Sequence, residues 1–369
     1  AHAGRVRVDL GFFPDFQYTE RLAIAAAAGD LPDAFDLDGP LVARFVDADL
    51  LAPLGAGFSP SELDDFLPSI VEQGTIDGRL YALGAFDSAA VLYYDRDLLE
   101  RAGVKVPLER GFSWPELLAA CQTLLAAGIE PLSLHMDQPA DEWFTYAFSP
   151  LVWSNGGSLV SKDGKRVRGV LDSPENVQAL ANLQKLFRRG YASADPVDPD
   201  PFGHGKVAMD YAGHWLAREH LAHFGARLGV MPLPRVGEHT VSPCGSFAWT
   251  LSARSARPEL ALEWIRWVTD ARHGIAPLVR ANGAIPARRS AFALFPEYAT
   301  DPYRLFRRLL ETVAHPRPRT PFYATLTQEF AAVVRDVAHG ADPQASLEHA
   351  ANEVDRVIAR RHEGTGAVR

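Results

Sequence analysis

The sequence predicts an α/β protein of two domains, on two observations: its length and the alternation of strand-like with helix-like segments. At 369 residues the chain exceeds the roughly 250–300 residues at which a single core stops growing. Alternating strands and helices imply parallel or mixed sheets covered by helices. Three proline-rich joints add a third observation, because they mark where the chain passes between domains. Val104–Arg110 contains a proline and no periodic pattern, and residues 232–245 hold three prolines and two glycines. His315–Pro321 is the third joint, partly extended because a residue preceding proline avoids the helical region.

The elements follow in order. Val6, Val8 and Leu10 alternate as a strand. Ser59-Pro-Ser-Glu62 opens a helix with a cap, a proline at its first position and a glutamate at its third. Ser113 and Glu116 form a capping box. Leu117, Leu118, Cys121, Leu124 and Leu125 follow at helical spacing, which turns Cys121 to the core. Ser173-Pro174 opens a helix carrying Val177, Leu180 and Phe187 as far as Gly190. Val207, Met209 and Tyr211 alternate with Lys206, Ala208 and Asp210, the period of a half-buried strand. Gly213 then permits a sharp turn, so Trp215 arrives at a strand's end, where α/β sheets place ligands. Leu260, Trp264, Trp267 and Val268 mark an amphipathic helix whose tryptophans read as core. Thr320-Pro321 begins a long helix that ends near Gly340, and Asp342-Pro343 caps the last one.

Composition narrows the function. The chain is 47% apolar and 22% charged, as ordinary globular proteins are. A net charge of −9 without a Lys/Arg run argues against a nucleic-acid partner. No stretch approaches the roughly 20 apolar residues of a membrane span. A secretory leader is also lacking, so the chain reads as a mature protein whose leader was removed, with a cytosolic protein as the alternative. Cys121 and Cys244 lie far apart and are expected to be free thiols. His204 and His214 show no zinc-ligand spacing, and neither a metal site nor a cofactor is expected. No G-x-S-x-G, P-loop or G-x-G-x-x-G element stands in the right context. Asp36 and Asp38 could pair as glycosidase acids, but two acids on one short loop more often bind hydroxyls.

Phe202-Gly-His-Gly-Lys-Val-Ala-Met-Asp-Tyr-Ala-Gly-His-Trp215 resembles the F-x-x-G-K-x-A-M-x-x-x-G-x-W signature of the ABC-transporter sugar-binding proteins, the maltodextrin-binding-protein-like extracellular solute-binding family 1. Ala28-Gly-Asp-Leu-Pro-Asp33 is similar to its A-G-D-x-P-D segment. Asp77-Gly-Arg-Leu-Tyr81 and Val91-Leu-Tyr-Tyr-Asp-Arg-Asp-Leu98 resemble its G-x-x-Y and L-Y-Y-N-x-D-L pair. Ser113-Trp-Pro-Glu-Leu117, Asn155-Gly-Gly157, Pro258–Trp264 and Asn282-Gly-Ala-Ile-Pro286 follow in the family's order.

The resemblance implies a two-lobed, periplasmic-binding-protein-like fold of type II, with mixed sheets, flanking helices and three hinge crossings. The amino lobe is expected at 1–106 plus 245–314, and the carboxy lobe at 107–244 plus 315–369. The A-G-D match comes early, so the family's usual first strand and helix are expected to be missing, through truncation or a rebuilt lobe. The implied function is capture of a neutral mono- or oligosaccharide by hinge closure, with delivery to a membrane permease. The protein would then be a monomer outside the cytoplasm, periplasmic or membrane-anchored, without catalysis. Two alternatives stay open: a sugar-sensing protein for a signalling receptor, and an enzyme using Cys244 as a cleft nucleophile.

Sugar binding needs aromatic faces for C–H surfaces and polar groups for hydroxyls. By motif position, Trp215 is the stacking candidate, with Asp210 as a nearby polar partner, and Tyr323 is an aromatic candidate on the last-but-one helix. Trp143 and Trp153 are candidate wall residues from a segment rich in mixed polar and aromatic residues. Asp36 and Asp38 share one side of an extended segment. Phe86 and Asp87 interrupt a strand where a ligand-contacting acid can sit, and Gly245 and Phe247 stand at the second crossing. Arg317 and Arg319 read as surface residues of a hinge loop, and His135 as a satisfied buried histidine.

Overall fold

The structure is a computed structural model and describes residues 7–13 and 15–366. Its first sheet holds β1 (Ala34–Asp38), β2 (Leu51–Ala52), β5 (Ala82–Gly84) and β12 (Phe247–Ser252), with β12 antiparallel to the other three. In β1, Phe35 and Leu37 turn into a core with Val42, Phe45 and Tyr81. Asp36 and Asp38 share the opposite, half-exposed face, as the period of two requires.

The second sheet runs β10 (Leu228–Met231), β7 (Ala90–Asp95), β9 (Val207–Gly213), β8 (Glu130–Ser133). β7 is antiparallel to both neighbours, while β8 runs parallel to β9. Every residue of β7 is buried because both faces are covered. Ala90, Leu92 and Tyr94 enter one core, while Val91 and Tyr93 enter another. Short pairs complete the topology: β3 (Thr75–Ile76) with β4 (Arg79–Leu80), β6 (Phe86–Asp87) with β13 (Ile285–Pro286), and β11 (Ser242–Cys244) with β14 (Ala314–Pro316). This is a mixed α/β architecture in two lobes joined by short strands.

The lobe boundaries need correction. The expected amino-lobe span of 1–106 contains β7, yet β7 lies inside the second sheet. The chain therefore first crosses near Ser88, between β6 and β7, and the Val104–Arg110 joint is a loop within one lobe. The helix Tyr303–Thr312 shares a core with Phe66, Leu67, Ile70 and Phe292, and its Phe306 also meets Tyr93 of β7 edge-on at 6.5 Å and His214 at 6.2 Å. Prolines mark breaks in regular structure, but only strand pairing says which sheet a segment joins.

Local signals fared well. Both capping boxes form, at Ser59/Glu62 and Ser113/Glu116, although the first helix lasts only from Pro60 to Leu63. Cys121 is fully buried, and both cysteines are free thiols. Two expectations fail. Residues 7–13 form no strand, and Val8 and Leu10 are exposed, because alternation makes a strand only where a partner strand pairs with it; Val6 lies outside the described residues. In the helix Pro258–Val268 the buried residues are Ala261 and Ile265, while Trp267 is half exposed and stacks on Trp264 at 5.3 Å. Trp264 is half-buried against the core and meets Trp249 of β12 edge-on at 5.6 Å, so only Trp267 departs from the expected core role.

Candidate functional site

The site begins at the carboxyl end of β9. Gly213 closes that strand, and a Cβ there would fall 2.2 Å from the Trp215 ring. Only glycine lets the indole fold back over the chain. A single helical turn, His214–Leu216, then leaves Trp215 46% exposed. Its neighbours come from the helix Asp141–Ser154. Trp143 meets it at 6.1 Å and 76°, and Tyr146 at 5.8 Å and 46°. Trp143 and Trp215 wall a pocket of about 180 Å³, whose polar lining includes His135, Gln138, Asp200 and Glu219; Tyr146 is buried behind the two indoles.

Tyr146 joins this wall to a charged node. The Arg317 guanidinium carbon lies 5.7 Å from the Tyr146 ring centre, a cation–π contact. Arg317 grips Asp38 of β1 with both terminal nitrogens, at 2.7 and 2.9 Å, and also bonds Glu142. Tyr323 donates to Glu142 at 2.5 Å, and Thr327 donates to it at 3.2 Å. Burial raises the Glu142 carboxyl, with Arg317 pulling the other way and Asp38 reinforcing the rise. Arg317 is held charged, well above its ordinary range: burial opposes the charge, and the carboxylates of Asp38 and Glu142 overcome it. One cation thus bridges Asp38 of the first sheet's lobe to Glu142 of the second's. The expectation that Arg317 is a surface residue is wrong, since it is 6% exposed.

The sequence-selected residues divide. Trp143 and Trp215 meet at the pocket, and Asp38 belongs to the charged node beside it. Tyr323 is 1% exposed, and only its hydroxyl reaches the node. Trp153 is 7% exposed and stacks on His315 at 4.1 Å, so it packs at the hinge instead of lining the pocket. Asp36 accepts a 2.5 Å bond from Tyr18, whose ring meets Phe247 edge-on at 6.1 Å.

Two acids selected as ligand contacts are turned inward. Asp87 is fully buried and accepts from Ser69 Oγ at 2.5 Å and from the Ser88 and Gly245 amides at 2.7 Å each. Gly245 (φ 107°) returns its carbonyl to the Ser88 hydroxyl, and Ser246 donates to the Phe86 carbonyl. Asp87 and Gly245 therefore knot the first and second crossings together, with half-buried Phe86 alongside. Asp210 is equally buried, between His135 and His220. Neither carboxylate is free to meet a ligand, because each is fully buried and faces protein groups; the period of two alone does not show that both faces of a strand are covered.

Tyr146 and Glu142 were overlooked. Glu142, Trp143 and Tyr146 sit at i, i+1 and i+4 on one helix, a spacing that groups them on neighbouring faces. The mixture of polar and aromatic residues in this segment points only to Trp143 and Trp153 until the helical spacing is considered. Arg317, isolated between prolines, carried no periodic signal. Cys244 is fully buried, and its thiol is pushed well above the ordinary value by burial and by the nearby Asp87 charge. A reactive nucleophile needs the opposite. Among the described residues, no group of three or more His, Cys, Asp or Glu side chains could hold a metal ion, and no helix is long and apolar enough to cross a membrane.

A family model described as bacterial extracellular solute-binding protein matches residues 2–274. The chain belongs to this solute-binding family. The maltodextrin-binding protein MdxE of Bacillus subtilis is 25% identical over 358 residues, covering 93% of this chain and 80% of that protein. Two other curated relatives, a probable ABC transporter-binding protein of Deinococcus radiodurans and a putative binding protein of Brucella abortus, are spanned over 57% and 48% of their lengths. Among solved structures, the sugar-binding protein MalE of Xanthomonas citri superposes with a TM-score of 0.84 at 20% identity, over 98% of this chain and 92% of that one. The GacH receptor of Streptomyces glaucescens, known unliganded and with acarbose, gives 0.79 at 23% identity, over 94% and 89%. The family is one of substrate-binding proteins of the extracellular compartment, and its two-lobed fold is the one described above.

Proposed function

We propose that this solute-binding protein captures a neutral mono- or oligosaccharide between its lobes and delivers it to an ABC permease. The observation that carries this reading is the aromatic wall of Trp143 and Trp215, joined through buried Tyr146 behind it to the Arg317–Asp38–Glu142 node. Indole faces suit the C–H surface of a pyranose, and the fixed charges suit its hydroxyls. Ligand contacts on both lobes exist together only in the closed form, so binding shifts the population toward it. The similarity to maltodextrin-, acarbose- and other sugar-binding proteins supports the same reading. The protein would act as a monomer on the outer face of the membrane, free in the periplasm or anchored. Burial of Cys244 disfavours the enzyme alternative.

The test is isothermal titration of the wild type and Trp215→Ala with maltose, maltotriose and diacetylchitobiose. Binding of one sugar, weakened at least tenfold in a variant with an unchanged melting temperature, is the expected result. Tenfold corresponds to about 1.4 kcal/mol, the scale of one lost ring contact. Equal affinity in the folded variant would refute the site.

A further inference from the structure

Asp210 is the most completely buried acid beside the pocket, and the ligand site as described does not use it. Its carboxylate lies on β9, paired with Tyr93 of β7 and with Ser133 of β8. Each oxygen faces one imidazole. His135 Nε2 lies 2.8 Å from Oδ1, and His220 Nε2 lies 3.1 Å from Oδ2. The His135 contact is a close ion pair out of line for a straight hydrogen bond, so the ring is placed by charge more than by direction.

His135 braces the Trp143 wall directly, and His220 anchors the helix that follows Trp215. His135 follows β8 with a left-handed backbone (φ 51°), a strained conformation for a non-glycine residue. Its ring meets the edge of Trp143 at 5.7 Å, and the neighbouring Leu134 carbonyl accepts the Trp143 indole N–H at 3.4 Å. His220 sits on the helix Ala217–Phe224, which begins two residues after Trp215. Its ring packs edge-on to Phe202 and Tyr93. Both histidines also line the pocket. Trp143 and Trp215 meet edge-on at 6.1 Å, and behind that contact one anion and two rings tie the His135 loop to the helix that follows Trp215.

We infer that His135, Asp210 and His220 form a proton-coupled positioning unit that sets the spacing of the two tryptophan walls and thereby the affinity of the pocket. This rests on the sugar-binding reading for its consequence, but not for its mechanism. The charged form of His135 draws the loop onto Asp210 and holds Trp143 upright; the neutral form releases it. Burial, which alone would discharge His135, is outweighed by Asp210, with Asp137 of the same loop and Asp200 before β9 adding to the pull. Burial would raise Asp210, yet the two imidazoles hold it at about 2, so the anion persists throughout. The other titratable groups nearby are Glu219 at the pocket rim, the Tyr93 hydroxyl, and His214 against Trp215 at 5.5 Å, which burial keeps neutral.

The experiment is 19F NMR of the full chain labelled with 5-fluorotryptophan, titrated with pH and without sugar, the Trp143 and Trp215 resonances being assigned by Trp→Phe variants. Both are expected to move with one midpoint above the usual histidine value of about 6.5, while Trp267 stays still. His135→Asn tolerates the left-handed backbone and should abolish the titration and shift Trp143; His220→Gln should shift Trp215 instead. Maltotriose affinity should fall about tenfold in Asp210→Asn, and in the wild type should weaken as pH rises through the same midpoint. Pocket resonances that ignore pH and are unmoved in folded His135→Asn overturn the inference. If the resonances behave as expected but the wild type binds no maltotriose or other sugar, the positioning unit stands and the sugar reading falls.

Discussion

Replacing Arg317 by methionine isolates the charged node. The wild-type guanidinium makes two bonds to Asp38 and one to Glu142, with the three side chains 5%, 17% and 31% exposed. Removing one partner of a buried ion pair costs about 3–5 kcal/mol. The lower end applies, because Asp38 can recruit water and Glu142 keeps its bonds from Tyr323 and Thr327. Arg317→Met should therefore lose about 3 kcal/mol in urea unfolding near pH 7. Adding Asp38→Asn and Glu142→Gln removes the stranded charges and should return stability to within about 1 kcal/mol of the wild type.

The pH dependence has a definite sign. A carboxyl whose folded pKa lies above its unfolded value near 4.3 favours the fold while protonated, and that contribution is lost as pH rises through the folded value. Burial sets this direction for Glu142 and Arg317 opposes it. Without Arg317 the folded pKa climbs further, so the destabilisation should be larger at about pH 8 than at about pH 4. A loss below about 1 kcal/mol, or one that shrinks as pH rises, would refute the role given to the node.

Three further outcomes follow. Asp87→Asn should destabilise the fold by about 1–3 kcal/mol, because asparagine keeps one oxygen for the Ser88 and Gly245 amides but sets an NH2 where Ser69 needs an acceptor; its sugar affinity should change less than that of Trp215→Ala, and the reverse order in titration calorimetry would put Asp87 back in the cleft. Cys244 and Cys121 should resist iodoacetamide in the native protein and react after unfolding, as their burial requires; native-state modification found at Cys244 by mass spectrometry would revive the nucleophile reading. Tyr146→Phe keeps the ring but loses the 2.9 Å bond to Ser88, so sugar affinity should fall less than threefold while Tyr146→Ala loses tenfold or more; equal losses would mean that the hydroxyl, not the ring, is what matters.

What the sequence determined by itself is local. Capping boxes at Ser59 and Ser113 involve side chains three residues apart, and Gly213 is needed by the ring two residues beyond it. Trp215 could be placed at a strand's end for that reason. The order of motifs also carried the family and the two-lobed fold. What only tertiary structure decided is the fate of each charge. Arg317 finds Asp38 across 279 residues, and Asp87 finds the Gly245 amide across 158. A carboxylate's role depends on whether its partner is a protein group or a ligand, and such partners are chosen by folding, not by spacing. The same holds for β7, whose apolar run specifies a strand covered on both faces but not the sheet it enters. Pairing distant segments decided that, and with it where the lobes meet.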